Sequence, residues 1–82
     1  STEDVLAHLR REAAKVRCTP RETEVLIAVT SGDTVAITSR KLGISMRTTK
    51  QHISTLLRKF AAPSKFALFA RLLGLQDLGK VA

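Results

Sequence analysis

Arg47, Lys50, Gln51 and Ser54 follow one another at steps of three, one and three, a spacing that gathers side chains on one flank of a helix. Their chemistry suits the edge of a nucleic-acid base. Arg and Lys can donate to guanine O6 and N7, Gln can bond adenine in bidentate fashion, and Ser can serve either way. Arg40, Lys41, Arg58, Lys59 and Lys65 surround them as cations suited to phosphates. The Ser45 and Thr48 hydroxyls, with the free N–H groups at a helix start, are natural phosphate ligands. His52 is open to two readings, a half-buried packing residue or a phosphate contact. Met46 is either a contact or a solvent-exposed first-turn residue.

All of these residues lie between Thr34 and Gln76, a window with no Asp or Glu and a net charge of +8. The rest of the chain holds six basic and seven acidic residues, so the overall +7 comes from this window alone. A basic run by itself is often only a solvated face. Here it coincides with a pattern that fixes which side faces outward.

That pattern is two helices across a glycine turn. Thr34 can cap a helix running to about Leu42, with Val35, Thr38, Ser39 and Leu42 inward. Gly43 permits the reversal, Ile44 can plug the crevice between the helices, and Ser45 caps a helix to about Phe60. Thr49, Ile53, Leu56 and Phe60 take the inner face of that second helix, leaving Met46, Arg47, Lys50, Gln51, Ser54 and Thr55 outward. Helix, short turn with glycine, helix is the helix-turn-helix arrangement, whose second helix enters the DNA major groove.

Further elements must hold this unit. Thr19-Pro20-Arg21-Glu22 combines a Thr N-cap, Pro at the first helical position and Glu at the third, a capping box opening a helix with Val25, Leu26 and Val29 on one face. Gly32 supplies its left-handed stop. Before it, Val5, Leu9, Ala13 and Val16 recur on one stripe from Ser1 to about Val16, with acids early and bases late as the helix dipole favours. After it, Pro63 and Ser64 restart the chain into a last helix from about Lys65 to Leu73, ending at Gly74. The fold class is all-α, a small helical bundle containing a helix-turn-helix with an extra N-terminal helix. Residues 1–17 form that helix, which either packs on this domain or serves as a linker to a missing sensory domain, residues 18–75 the DNA-binding domain, and 76–82 a polar tail. The chain opens on Ser1 rather than Met, which suits a processed protein or an excised domain, the second being preferred.

Eighty-two residues allow one small domain without a deep cleft. A single cysteine, Cys18, excludes an internal disulfide and a multi-cysteine zinc site. No nucleophile–base pair, paired carboxylates or phosphate-cradling glycine loop is present, so the expectation is not an enzyme, with no metal and no cofactor. No apolar run approaches the roughly 20 residues needed to span a membrane. The expected location is cytoplasmic, on the nucleoid.

Thr19-Pro-Arg-Glu-Thr-Glu-Val-Leu26, Leu42-Gly-Ile-Ser45, Thr48-Thr-Lys-Gln-His52 and Leu57-Arg-Lys-Phe60 together resemble the LuxR-type (GerE) DNA-binding domain of bacterial transcription factors. That family's pattern is close to TPRE-x-EVL, LGIS, T-V-K-x-H and L-x-KL, and the resemblance covers about Cys18 to Leu75. It implies a four-helix module in which the helix matching Ser45 to Phe60 reads the major groove and the helix matching Lys65 to Leu73 forms a dimer contact. Lys50, His52 and Lys59 fall on the family's Lys, His and late Lys positions. Four departures stand out. Thr38-Ser39 replaces the usual Ile-Ala, Ile37 a frequent Glu, Thr49 the usual core Val, and Ala61 a common Gly. Cys18 stands where the family tends to have Leu, which favours a small buried hydrophobe over a reactive thiol.

The last helix has apolar residues around about twice the ~100° stripe that one buried face needs. A tight terminal core would explain part of this width. Self-association explains more, with Phe66, Phe69, Leu72 and Leu73 as the dimer interface. The partners implied are double-stranded DNA and a second copy of the chain, with no membrane. The alternatives are a sigma-factor region-four-like domain acting with RNA polymerase, and a helical protein-interaction module docking through the first or last helix.

Overall fold

The computed structural model describes residues 1–75. Five helices and no strand occur among them: α1 (Thr2–Lys15), α2 (Pro20–Thr30), α3 (Val35–Leu42), α4 (Met46–Lys59) and α5 (Lys65–Leu72). The all-α bundle read from the sequence is the fold observed. The tail assigned to 76–82 lies outside the described residues.

Each helix start is set by a side chain that takes up an N–H group the helix itself cannot satisfy. At α2 the capping box is complete, since the Thr19 hydroxyl accepts from Glu22 N at 3.1 Å and Glu22 Oε1 accepts from Thr19 N at 2.9 Å. Ser1 and Asp4 form a second capping box at α1. Thr34, Ser45 and Ser64 cap α3, α4 and α5 through single bonds to Ile37 N, Thr48 N and Ala67 N.

The helix ends share one solution, a left-handed residue that turns the chain so that late carbonyls are bonded. Gly32, Gly43 and Gly74 hold this conformation after α2, α3 and α5. Arg17 and Ala61 hold it after α1 and α4, with φ of 59° and 52°. At Ala61 the motif is complete, with Ala62 N donating to Leu57 O at 2.8 Å and Ala61 N to Arg58 O at 3.0 Å. Glycine adopts this backbone without steric cost and alanine does not.

The core gathers around α2. Leu9 and Ala13 from α1, Val25, Leu26 and Val29 from α2, Ile53 and Leu56 from α4, Ala62, and Leu68 and Leu72 from α5 form one buried cluster. Of the stripe read on α1, Leu9 and Ala13 are buried, Val16 is half-buried and Val5 is 55% exposed. The core thus runs across the boundary drawn at residue 17. His8 Nε2 adds a polar tie by donating to the Leu72 carbonyl at 2.7 Å, joining α1 to α5. Cys18 packs half-buried against the core, and burial, followed by the Glu22 charge, pushes its thiol pKa up. A thiol kept protonated in this way is a poor nucleophile.

The seam between α3 and α4 differs in chemistry from that core. Ser39 and Thr49 meet there and are both buried, and Thr38 of α3 is fully buried as well. Val35, Leu42, Leu57 and Phe60 are half-buried beside the cluster.

Candidate nucleic-acid interface

The helix-turn-helix is built from α3, the turn at Gly43, Ile44 and Ser45, and α4. Ile44 N donates to Ser39 O at 3.1 Å, closing the end of α3 as the chain reverses. Burial of Thr49, Ile53 and Leu56 fixes the rotation of α4 about its own axis. Arg47, Lys50, Gln51 and Ser54 are consequently exposed, and with half-buried Thr55 they line one shallow, open depression. The four residues expected to meet bases are therefore brought together on one surface. Thr55 joins them as a lining residue that had no assigned contact.

The phosphate candidates divide into two groups. Arg40 and Lys41 are exposed in the last turn of α3, Arg58 is exposed near the end of α4, and Lys65 opens α5. Lys41 makes an exposed ion pair with Asp33 at 2.8 Å, a pairing its place in an acid-free window had hidden because Asp33 lies one residue outside. Ser45 Oγ accepts from Thr48 N and donates to Thr48 Oγ1, both at 3.0 Å, so these hydroxyls are oriented by each other at the N-terminus of α4. Its first-turn N–H groups face this end with no acidic residue nearby in sequence. His52 is half-buried on the flank of α4.

Lys59 stands apart, and its expected role as a phosphate contact needs correction. Its ammonium donates to Glu22 Oε1 at 2.6 Å and to the Arg17 carbonyl at 3.0 Å. The side chain is only 23% exposed and that of Glu22 10%. These bonds tie the end of α4 to the start of α2 and to the α1–α2 turn. Glu22 is held below its ordinary pKa chiefly by the Lys59 hydrogen bond and then by Thr19 N. The same carboxylate thus completes the α2 capping box and anchors the far end of the outward-facing helix. The sequence signal for this was present in the Thr-Pro-Arg-Glu start, but its distant partner was not.

The surface of α5 also requires a correction. Leu72, expected at a dimer interface, is buried at 4% exposure, because Leu68 and Leu72 lie one helical turn apart and both face the core. Phe66 and Leu73 are 80% and 70% exposed, and Phe69 is half-buried. Phe69, Leu72 and Leu73 form one wall of an apolar groove whose other wall is Val5, His8 and Leu9 of α1.

No group of three or more His, Cys, Asp or Glu side chains able to hold a metal occurs among the described residues. No described helix is long and apolar enough to cross a membrane.

Comparison with known proteins agrees with this architecture. Residues 17–71 match the family described as bacterial regulatory proteins, luxR family (GerE). Over 40 residues the chain is 58% identical to the transcriptional activator protein CarR of Pectobacterium carotovorum subsp. carotovorum, a match covering 49% of this chain and 16% of that relative. The chain spans only a small part of that relative's length. No solved structure matches. With α3 and α4 forming the helix-turn-helix inside the matched segment, the chain belongs to the luxR family of bacterial regulatory proteins and carries its DNA-binding domain.

Proposed function

We propose that the chain binds double-stranded DNA sequence-specifically as the effector domain of a transcriptional regulator, with α4 in the major groove. The observation that carries this is the surface of α4. Arg47, Lys50, Gln51 and Ser54 share one exposed face while the opposite face is buried. Base-edge donors concentrated on one side of a short helix match what major-groove reading requires. Arg40, Lys41, Arg58 and Lys65, all exposed, with Ser45, Thr48 and His52, serve as phosphate contacts. Lys59 is left to the scaffold. No step needs a cofactor.

Dimerisation completes the reading. Phe66 and Leu73 expose large apolar side chains on one short helix, and Phe69 borders the same surface. A two-fold pair through α5 would place two α4 helices about 34 Å apart, over half-sites one DNA turn apart. Phe66→Ser leaves the core untouched, so it should abolish concentration-dependent self-association in sedimentation while the chain stays folded. Unchanged association would remove α5 from the interface.

The experiment that tests the function is selection of bound sequences from random duplex DNA. A palindromic motif bound with a steep salt dependence is the expected result, because counterions are released as phosphates are neutralised. Failure to enrich any sequence would contradict it.

A further inference from the structure

Two of the chain's departures from its family pattern meet each other in the fold. Ser39, where the pattern has Ala, and Thr49, where it has Val, face each other across the α3–α4 seam with Ser39 Oγ and Thr49 Oγ1 at 2.7 Å. Ser39 is 6% exposed and Thr49 is fully buried. Each hydroxyl also reaches a carbonyl of its own helix or its cap: Ser39 Oγ lies 2.7 Å from Val35 O, and Thr49 Oγ1 lies 3.1 Å from Ser45 O.

Three contacts are thus shared by two hydroxyl protons. When Ser39 donates to Thr49, Thr49 donates to Ser45 O. When Thr49 donates to Ser39, Ser39 donates to Val35 O. In each of these two arrangements one proton crosses the seam and the other closes onto a carbonyl; placing both protons on carbonyls would leave the two oxygens facing each other at 2.7 Å without a bond. Ser45, one of these acceptors, is also the N-cap of α4, so the link ends on the turn that aims this helix.

Resting on the DNA-binding reading above, we propose that the Ser39–Thr49 pair is a positioning device that sets the orientation of α4 against α3, and through it the selectivity of Arg47, Lys50, Gln51 and Ser54. A purely aliphatic contact fixes the distance between two helices but constrains sliding and rotation weakly, because it is non-directional. A buried hydroxyl pair adds a directional constraint. Arg47, Lys50 and Gln51 lie within two residues of Thr49 on the same two turns, so a small rotation of α4 displaces all of their donor groups together.

The geometry also supplies a clean test. Removing either hydroxyl leaves the other able to donate to its own helix carbonyl, so neither Ser39→Ala nor Thr49→Val strands a buried proton, and both variants should fold. The readout is the ratio of affinities for a duplex selected from a random pool and for a random-sequence duplex. Each single substitution should lower that ratio roughly fivefold to tenfold, the size of one neutral hydrogen bond. The salt dependence on random DNA should stay unchanged. The double variant should lose no more than the larger single loss, since the shared bond is already gone. Thr49→Ser, which keeps the hydroxyl, should retain most of the ratio. Additive losses in the double variant, or an unchanged ratio in both singles, would overturn the proposal. If the unaltered chain prefers no duplex, the DNA-binding reading fails, and the positioning claim is decided by amide resonances of the free protein. Matching displacements over residues 46–55 in both single variants would support it, and undisturbed resonances would overturn it.

Discussion

The two halves of the core are built from different chemistry. Around α2, Val25, Leu26 and Val29 meet Leu9, Ala13, Leu56, Leu68 and Leu72 in an aliphatic cluster that excludes water. On α3 and α4, three hydroxyl residues are buried instead, Ser39 and Thr49 in contact across the seam and Thr38 with an Oγ1 that has no hydrogen-bond partner. The first half supplies most of the stability, because burial of apolar area is its main source. The second contributes less stability and more direction. The helix that carries the candidate base-reading residues is therefore anchored on one side by volume, on another by hydroxyl bonds, and at its far end by the Glu22–Lys59 pair.

The sharpest way to break this contrast is to truncate the aliphatic half. Leu26 is fully buried, so Leu26→Ala should cost about 3 kcal/mol in chemical denaturation through lost transfer energy and the cavity left behind. A loss near zero would mean the cluster is not the stabilising half.

Lys59→Ala comes next. It leaves Glu22 largely buried without its cation and removes the tie to the Arg17 carbonyl, so it should lower the melting temperature more than Lys41→Ala, whose pair with Asp33 is exposed. Affinities for selected and random DNA should fall only as far as the folded fraction does. The acid response follows from the same pair. Glu22 has a folded pKa below its unfolded value, so its contribution is complete above the ordinary glutamate range and is lost as pH falls through the depressed value. Unfolding midpoints should thus decline below about pH 5 in the unaltered chain and decline less steeply in Lys59→Ala. Identical acid profiles for the two proteins would contradict the assignment.

Smaller effects sharpen the comparison by raising stability. Ala61→Gly relieves a left-handed alanine after α4 and should stabilise by about 1 kcal/mol, net of the greater unfolded-state entropy of glycine. Thr38→Val keeps the side-chain shape while removing the unpartnered hydroxyl, and should stabilise by up to ~1 kcal/mol. Destabilisation by either substitution would show that the local geometry is not as described.

What could be read from residues alone follows the range of the interaction. The helix starts at Thr19, Thr34 and Ser45 were legible because a cap and its partner sit three residues apart. The stops at Gly32, Gly43 and Gly74 were legible because glycine marks the left-handed backbone, whereas the equivalent turns at Arg17 and Ala61 carry no such mark. The inward set Thr49, Ile53 and Leu56 followed from helical period. Contacts between distant segments did not follow. Lys59 looked like a free cation because Glu22 is 37 positions away, and Leu72 looked like Leu73 because an all-round apolar helix does not reveal which residue faces the core. Helical period puts both Ser39 and Thr49 on inward faces, but their bond depends on how α3 meets α4, which no local rule sets.

In the proposed division of labour, the Arg47, Lys50, Gln51 and Ser54 face reads bases while Lys59 supports the fold. This division is tested most directly by measuring how Lys50→Ala, Gln51→Ala and Lys59→Ala change the affinity ratio between the selected duplex and random DNA. For the first two, the ratio should fall by about 1–3 kcal/mol of discrimination, with thermal stability unchanged. Lys59→Ala should leave the ratio unchanged and lower the melting temperature. A ratio that falls with Lys59→Ala and holds with Lys50→Ala and Gln51→Ala would contradict it.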